Sequence, residues 1–207
     1  MRCRRFARCR GFSMLEVLIT LVILSFGLLG LINLQIKLQL NEVESYQRGQ
    51  ALVLLEDMAS RMRVHSLRCQ GADCTVEVNR LALYGTGSAY LGVGSTVNCG
   101  GIDDAQVSGD CSSWDALLKG AAIQQSGTGL GAMTGARGCI EQLAPGNPAN
   151  GSCEPALYRV SLAWQGLQES AVPELSCGEG LYGAKEGYRR VISTLVQIGT
   201  PACLPPS

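Results

Sequence analysis

RGFSMLEVLITLVILSFGLLGLINLQI, running from Arg10 to Ile36, is the stretch from which the rest of the chain has to be read. Between Phe12 and Ile36 the only ionisable side chain is Glu16, and Val17 to Ile36 supplies 20 residues without a charge. At about 1.5 Å per helical residue, such a run crosses roughly 30 Å of hydrocarbon, so it reads as a membrane helix. Arg2, Arg4, Arg5, Arg8 and Arg10 precede it with no acid among them. A basic flank of this kind stays on the cytoplasmic side, which places the N-terminus inside and everything after Lys37 on the far side.

Other readings of the segment fit less well. A cleavable secretory signal has a short apolar core and then a small-x-small site, but Ser25-Phe26-Gly27 is a poor match and the apolar run continues past it. Arg4-Arg5-Phe6 lacks the rest of a twin-arginine address. A plain signal anchor explains the run but not Glu16, because a carboxylate inside a membrane helix costs about 2.5 to 3.5 kcal/mol or more.

Composition narrows the class further. The 207 residues carry 17 basic and 17 acidic side chains, are 46% hydrophobic and only 16% charged, which excludes a disordered tail. Residues 69 to 207 hold 7 basic against 12 acidic side chains, so no nucleic-acid partner is expected. The single histidine, His65, disfavours His-rich metal sites and imidazole-assisted nucleophiles. His65 itself reads as an exposed or capping residue near the end of a charged helix. Lys185-Glu186 and Asp103-Asp104 sit in Gly-flanked polar loops without a partner motif and read as solvated surface. Gly127-Thr-Gly129-Leu-Gly131 follows no strand and completes no dinucleotide fingerprint, so it reads as a surface loop. No catalytic residue, metal or cofactor is expected, and the chain does not read as an enzyme.

Arg10-Gly11-Phe12-Ser13-Met14-Leu15-Glu16 and the uncharged run behind it resemble the processing site of type IV prepilins and type II secretion pseudopilins. The resemblance implies that a prepilin peptidase cuts after Gly11 and methylates the new amino terminus on Phe12. It also implies that Glu16 serves subunit assembly. Cleavage there leaves 196 residues, discarding Cys3 and Cys9 and retaining eight cysteines. A finer resemblance, to the PilV family of minor pilins, rests on SFGLLGLINLQ, ALVLLEDMASRMR, LYRVSLAWQG and YRRVISTLVQI. It implies a minor pilin that primes pilus assembly or modifies the tip. Its partners would be other minor pilins and the major pilin through the N-terminal helix, the peptidase, the inner-membrane assembly platform and a tip adhesin. The alternatives are a minor pseudopilin of type II secretion and, from another class, a signal-anchored periplasmic enzyme or binding module. Localisation follows: inner membrane with a periplasmic head before assembly, pilus or cell surface after it.

The residues past the run agree with a long helix. Leu40, Val43, Gln47, Ala51, Leu54, Met58 and Met62 recur every three or four positions, an amphipathic stripe that continues the apolar segment. One helix from about Ser13 to Val64 would be roughly 75 to 80 Å long. The expected organisation is a leader at 1–11, a membrane half at 12–36, an amphipathic half at 37–68 and a periplasmic head at 69–207. Within the head, Leu157 to Trp164 and Arg190 to Ile198 are strand candidates, joined by Thr75 to Val78 and Ala82 to Tyr84. The expected fold is α+β and pilin-like: the helix packed on a small antiparallel sheet, with Gly-rich, disulfide-rich loops.

Fifteen of the 26 glycines lie between Gly85 and Gly151, a stretch expected to be mostly loop with one helix at Ser113 to Ile123, capped by Ser112 or Ser113. Asn150-Gly151-Ser152 matches a glycosylation sequon but equally a turn. Outside the membrane, Cys69, Cys74, Cys99, Cys111, Cys139, Cys153, Cys177 and Cys203 read as a disulfide framework. Local loop closure is entropically easiest, which favours neighbours: Cys69 with Cys74, Cys99 with Cys111, Cys139 with Cys153, and Cys177 with Cys203.

Overall fold

The computed structural model describes residues 13–66, 80–121, 124–125, 128–129, 133–147 and 154–199. They belong to two compact units, Met1–Val43 and Glu44–Ser207. Helix α1 (Met14–Ser66) begins in the first and ends in the second. It contains no proline, and a Cβ built on Gly27, Gly30 or Gly49 would meet nothing within 4 Å, so no packing within the chain demands glycine there.

The second unit joins α1 to a four-stranded antiparallel sheet, ordered β1 (Leu91–Gly92), β4 (Arg137–Ala144), β5 (Ala156–Gln165), β6 (Arg189–Ile198). A separate hairpin pairs β2 (Gln124–Gln125) with β3 (Thr128–Gly129). The anticipated α+β fold, a long helix on a small antiparallel sheet, is therefore present. Ala51, Leu55, Met58, Ala59 and Met62 form one buried cluster with Ile140, Tyr158, Val160, Leu162, Trp164 and Val196 of the sheet. The α1 residues recur at helical spacing, while those on each strand alternate, as two packed periods require. The buried stripe differs in detail from the anticipated one. Leu55 and Ala59 widen it, whereas Val43 remains exposed. Gln47 is buried, with no hydrogen-bond partner for Oε1 among the described residues.

Helix α2 (Ala105–Leu118) fills the space between α1 and the β1 end of the sheet. It starts eight residues before the expected Ser113, because Asp104 caps it: Oδ1 accepts from the N–H groups of Gln106 and Val107, both at 3.0 Å. The Val107 N–H, then the Arg80 guanidinium that pairs with Oδ2 at 2.5 Å, then the Gln106 N–H hold the Asp104 carboxyl below its ordinary range, so this side chain is structural and not idle surface. Gly109 lies inside the helix, and the chain leaves it before Gly120, whose φ is +89°. Ile123, the expected end, lies outside the described residues. Trp114 is fully buried, donates Nε1–H to the Leu54 carbonyl at 2.9 Å and lies over Gly138. A Cβ on Gly138 would come within 2.4 Å of the indole, so that glycine is what lets the ring reach the sheet.

One more expectation fails on local geometry. Residues 82–84 are not a strand: N–H groups of Leu83, Tyr84 and Gly85 donate to the carbonyls of Arg80, Leu81 and Ala82, the pattern of tight helical turns. Besides the expected helix, the glycine-rich middle holds a strand that was not anticipated, the eight-residue β4. Thr75 to Val78 and Asn150-Gly151-Ser152 lie outside the described residues.

Candidate functional site

Ser13 opens α1. Its Oγ accepts from the Leu15 N–H at 3.3 Å and its carbonyl accepts from Glu16 and Val17 N–H at 3.0 and 3.3 Å. From there to Gln39 every residue of the first unit is exposed, including Met14, Leu18, Ile23, Leu24 and Phe26, the last at 71%. The two hydroxyls in the run are satisfied within the helix, Thr20 Oγ1 on the Val17 carbonyl at 2.9 Å and Ser25 Oγ on that of Leu21 at 2.8 Å. Neither leaves a polar group that an apolar environment would penalise. This is the one helix long and apolar enough to cross a membrane among the described residues, and its apolar window has no buried part.

Glu16 is the only charged side chain of this surface before Lys37. It is the acid of the first turn, where a carboxylate is favoured by the positive end of the helix. Its side chain is exposed, and no described residue hydrogen-bonds it. Gly11 and Phe12 lie outside the described residues.

The cysteine framework is corrected by the structure. Cys99 bonds Cys111, tying a 3₁₀ turn (Cys99–Gly101) to α2. Cys139 bonds Cys177 across 38 residues, so the neighbour pairings of Cys139 with Cys153 and of Cys177 with Cys203 do not hold. The sheet overrides loop entropy here: β4 holds Cys139 opposite Ser161 of β5, and the 175–178 segment crosses that same face. Cys69, Cys74, Cys153 and Cys203 lie outside the described residues.

The head's loops are anchored by residues the sequence did not single out. Arg189, 2% exposed, donates to the carbonyls of Pro173 at 3.2 Å, Cys177 at 3.1 Å and Leu175, and pairs with Glu186. That pairing, with a further hydrogen bond from the Gly180 N–H, holds the Glu186 carboxyl below its ordinary range. Glu186 is thus a structural member of a staple and not solvated surface, while Lys185 makes an exposed ion pair with Glu169 at 3.0 Å. Glu44 does similar work on α1. Its Oε1 accepts from Leu167 N–H, Gln168 N–H and Arg190 Nη2 at 3.1, 3.2 and 3.1 Å. The signal for Glu44 was only its place among charges flanking the apolar stripe; its partners are more than 120 residues away.

A cleft of about 390 Å³ lies on the outer face of the sheet, lined by Tyr90, Glu141, Arg159, Glu174 and the Cys139–Cys177 bridge. Arg159 is already paired there with Glu141 at 2.9 Å.

The family model described as the prokaryotic N-terminal methylation motif matches residues 6–32. No curated protein and no solved structure matches the chain. The match covers the end of the arginine leader, Gly11, Phe12, Glu16 and most of the exposed apolar run. The chain therefore has a prepilin-type N-terminus, the signal of pilin-like proteins that prepilin peptidase processes and that enter a pilus or a pseudopilus. The signal and the apolar helix together fit a protein anchored in the inner membrane before assembly.

Proposed function

We propose that the protein is a minor type IV pilin of the PilV type, a structural subunit and not an enzyme. In this reading prepilin peptidase removes residues 1–11 and methylates Phe12. Residues 12–36 hold the subunit in the inner membrane with the head in the periplasm. The same residues then pack against other minor pilins and the major pilin. The subunit primes assembly on the inner-membrane platform, or modifies the tip where an adhesin sits. The observation that supports this most is the exposed run 13–39, broken by one carboxylate in its first turn and overlapping the matched methylation motif.

Glu16 is given a partner by the same chemistry. Cutting after Gly11 creates an amine on Phe12 whose ordinary pKa is about 7.7 to 8.0, and it stays largely cationic near neutral pH. The Phe12 amine of one subunit can pair with Glu16 of the next, setting axial register while the apolar faces pack.

Mass spectrometry of the mature N-terminus tests the reading: methylated Phe12 is expected. A chain left uncut after Gly11, and absent from sheared filaments, would contradict it. Glu16→Leu should insert at least as well as wild type yet enter filaments poorly; entry at the wild-type level would remove the assembly role. Deletion that abolishes secretion and spares piliation would assign the chain to a secretion pseudopilus instead.

A further inference from the structure

The two disulfides among the described residues lie in opposite environments. Cys99 and Cys111 are 8% and 5% exposed within the main core, and the cavity beside Cys111 measures about 20 Å³, room for one water. Cys139 and Cys177, by contrast, both line the cleft of about 390 Å³ on the outer face of the sheet. Cys139 is half-buried there, and Cys177 is the more enclosed of the two at 7% exposure. A small thiol therefore has an approach to the second bridge, on the Cys139 side, and none to the first.

The second bridge is also not the sole fastening of its own segment. Arg189 donates to the carbonyls of Pro173, Leu175 and Cys177, three points along the stretch that carries one of the two sulfurs. Gly178, with φ +70°, packs so closely that a Cβ would come within 2.8 Å of the Tyr182 ring and 3.0 Å of the Ala163 Cβ. Tyr182 is itself fixed, because its O–H donates to the Gly135 carbonyl at 2.9 Å. Cys139 is placed independently, in β4 opposite Ser161 of β5. Parting the two sulfurs therefore leaves each on a scaffold that does not depend on their bond. A Cys177 thiol would also have acceptors for its weak S–H, the Ser161 carbonyl at 3.9 Å and that of Arg137 at 4.0 Å.

We propose that the Cys139–Cys177 bridge is a site of reversible thiol–disulfide exchange with small thiols, reached through the outer cleft and opened without unfolding the head. The entering thiolate forms a bond to Cys139 Sγ while the Cys139–Cys177 bond breaks. Cys177 leaves with the electron pair and takes up the proton that the entering thiol gave up. A second small thiol then attacks the sulfur brought in by the first. Two small thiols are thereby oxidised to one disulfide, and the bridge is reduced to two cysteine thiols. In the reverse direction Cys177 attacks the mixed disulfide at Cys139 and expels the small thiol. Arg189 keeps Cys177 in place for that step, which makes the return intramolecular. The site does not depend on which assembly the chain enters.

The test uses the full chain in detergent, without denaturant, incubated with dithiothreitol as the small thiol. Portions are quenched with iodoacetamide and mapped by peptide mass. Labelling of Cys139 and Cys177 should run at least about tenfold ahead of that of Cys99 and Cys111. Residues 173–178 should stay partly protected in hydrogen exchange while the bridge is open. Replacing dithiothreitol by glutathione disulfide should restore the same bridge. Two single variants identify the sulfur that is attacked: with glutathione disulfide, Cys177→Ser should take up one glutathione at Cys139, and Cys139→Ser should leave Cys177 unmodified over the same time. If neither variant accumulates, the wild-type time course decides alone. Labelling of all four cysteines together, or of none before denaturant is added, would overturn the proposal. So would complete loss of protection at 173–178 on reduction, or a new bridge from Cys139 or Cys177 to another cysteine of the chain. Faster modification of Cys177 than of Cys139 would overturn the approach through Cys139.

Discussion

Helix α1 contains two surfaces made from similar residues and put to opposite use. Before Leu40 its leucines, isoleucines and valines are exposed on every side; after Glu44 its apolar residues include Ala51, Leu55, Met58, Ala59 and Met62, all buried in the head. A helix apolar all round is matched to lipid or to neighbouring helices, and an amphipathic one to its own domain. The difference is visible in the polar groups as well. Thr20 and Ser25 turn back on their own helix, whereas Glu44 reaches the 167–168 backbone and Arg190. The first surface meets no partner among the described residues, and the second has its partners within the head.

Replacing an aromatic residue on each surface should separate them most. Trp114→Ala removes a fully buried indole and its hydrogen bond to Leu54, and should destabilise the head by about 3 to 5 kcal/mol. Phe26→Ala, at a residue that touches little of its own chain, should leave the thermal midpoint in detergent unchanged. Equal losses in the two variants, read by thermal unfolding of the full chain, would erase the distinction.

A smaller effect belongs to the staple of the outer face. Replacing Cys139 and Cys177 together by Ser releases a closure of 38 residues and should cost about 2 to 4 kcal/mol. Arg189 would still hold the carbonyls of Pro173, Leu175 and Cys177, so the loop should remain partly protected in hydrogen exchange. Complete loss of that protection would show that the bridge, and not Arg189, positions the segment.

Acid should destabilise the head. Glu186 and Asp104 both have folded pKa values below their unfolded ones, from Arg189 and from the Val107 N–H respectively. Depressed carboxyls contribute stability above their unfolded values, about 4.3 for Glu and 3.9 for Asp, and that contribution is lost as pH falls through the lower folded values. The unfolding midpoint should therefore drop below about pH 4, and Glu186→Gln should flatten that part of the profile. An unchanged slope would remove Glu186 from the staple's energetics.

What the sequence disclosed follows the same division. The α1 run, β5 and β6 were legible because an uncharged stretch and an alternating pattern are local signals. β4 was hidden by Gly135 and Gly138, yet Gly138 is required under Trp114, a contact no window of sequence displays. The start of α2 was misplaced because Gly109 reads as a break, and Asp104 as a cap shows itself only by its bonds to Gln106 and Val107. Glu16 was conspicuous because it is alone. Glu44, Arg189 and Arg190 were not, because ordinary charges become distinctive only when distant backbone meets them. The Cys139–Cys177 pair needed the sheet register, which entropy of closure does not contain.

The smallest predicted effect is the most direct comparison of the two surfaces, since it adds the same single carbon to each. At Gly138 a Cβ would meet the Trp114 ring at 2.4 Å, so Gly138→Ala must displace a buried indole or part β4 from α2, costing about 1 to 3 kcal/mol. At Gly30 a Cβ meets nothing within 4 Å, and the residue lies mid-helix with no positive φ to preserve. Gly30→Ala should therefore gain only the helix-propensity difference, about 0.5 to 1 kcal/mol, seen as slightly greater helicity and an unchanged or raised thermal midpoint in detergent. Circular dichroism of the full chain reads both variants on one scale. A Gly30→Ala chain that loses helix or stability would mean that residues 14–39 have a partner within the chain, and the contrast drawn at Leu40 would have to be abandoned.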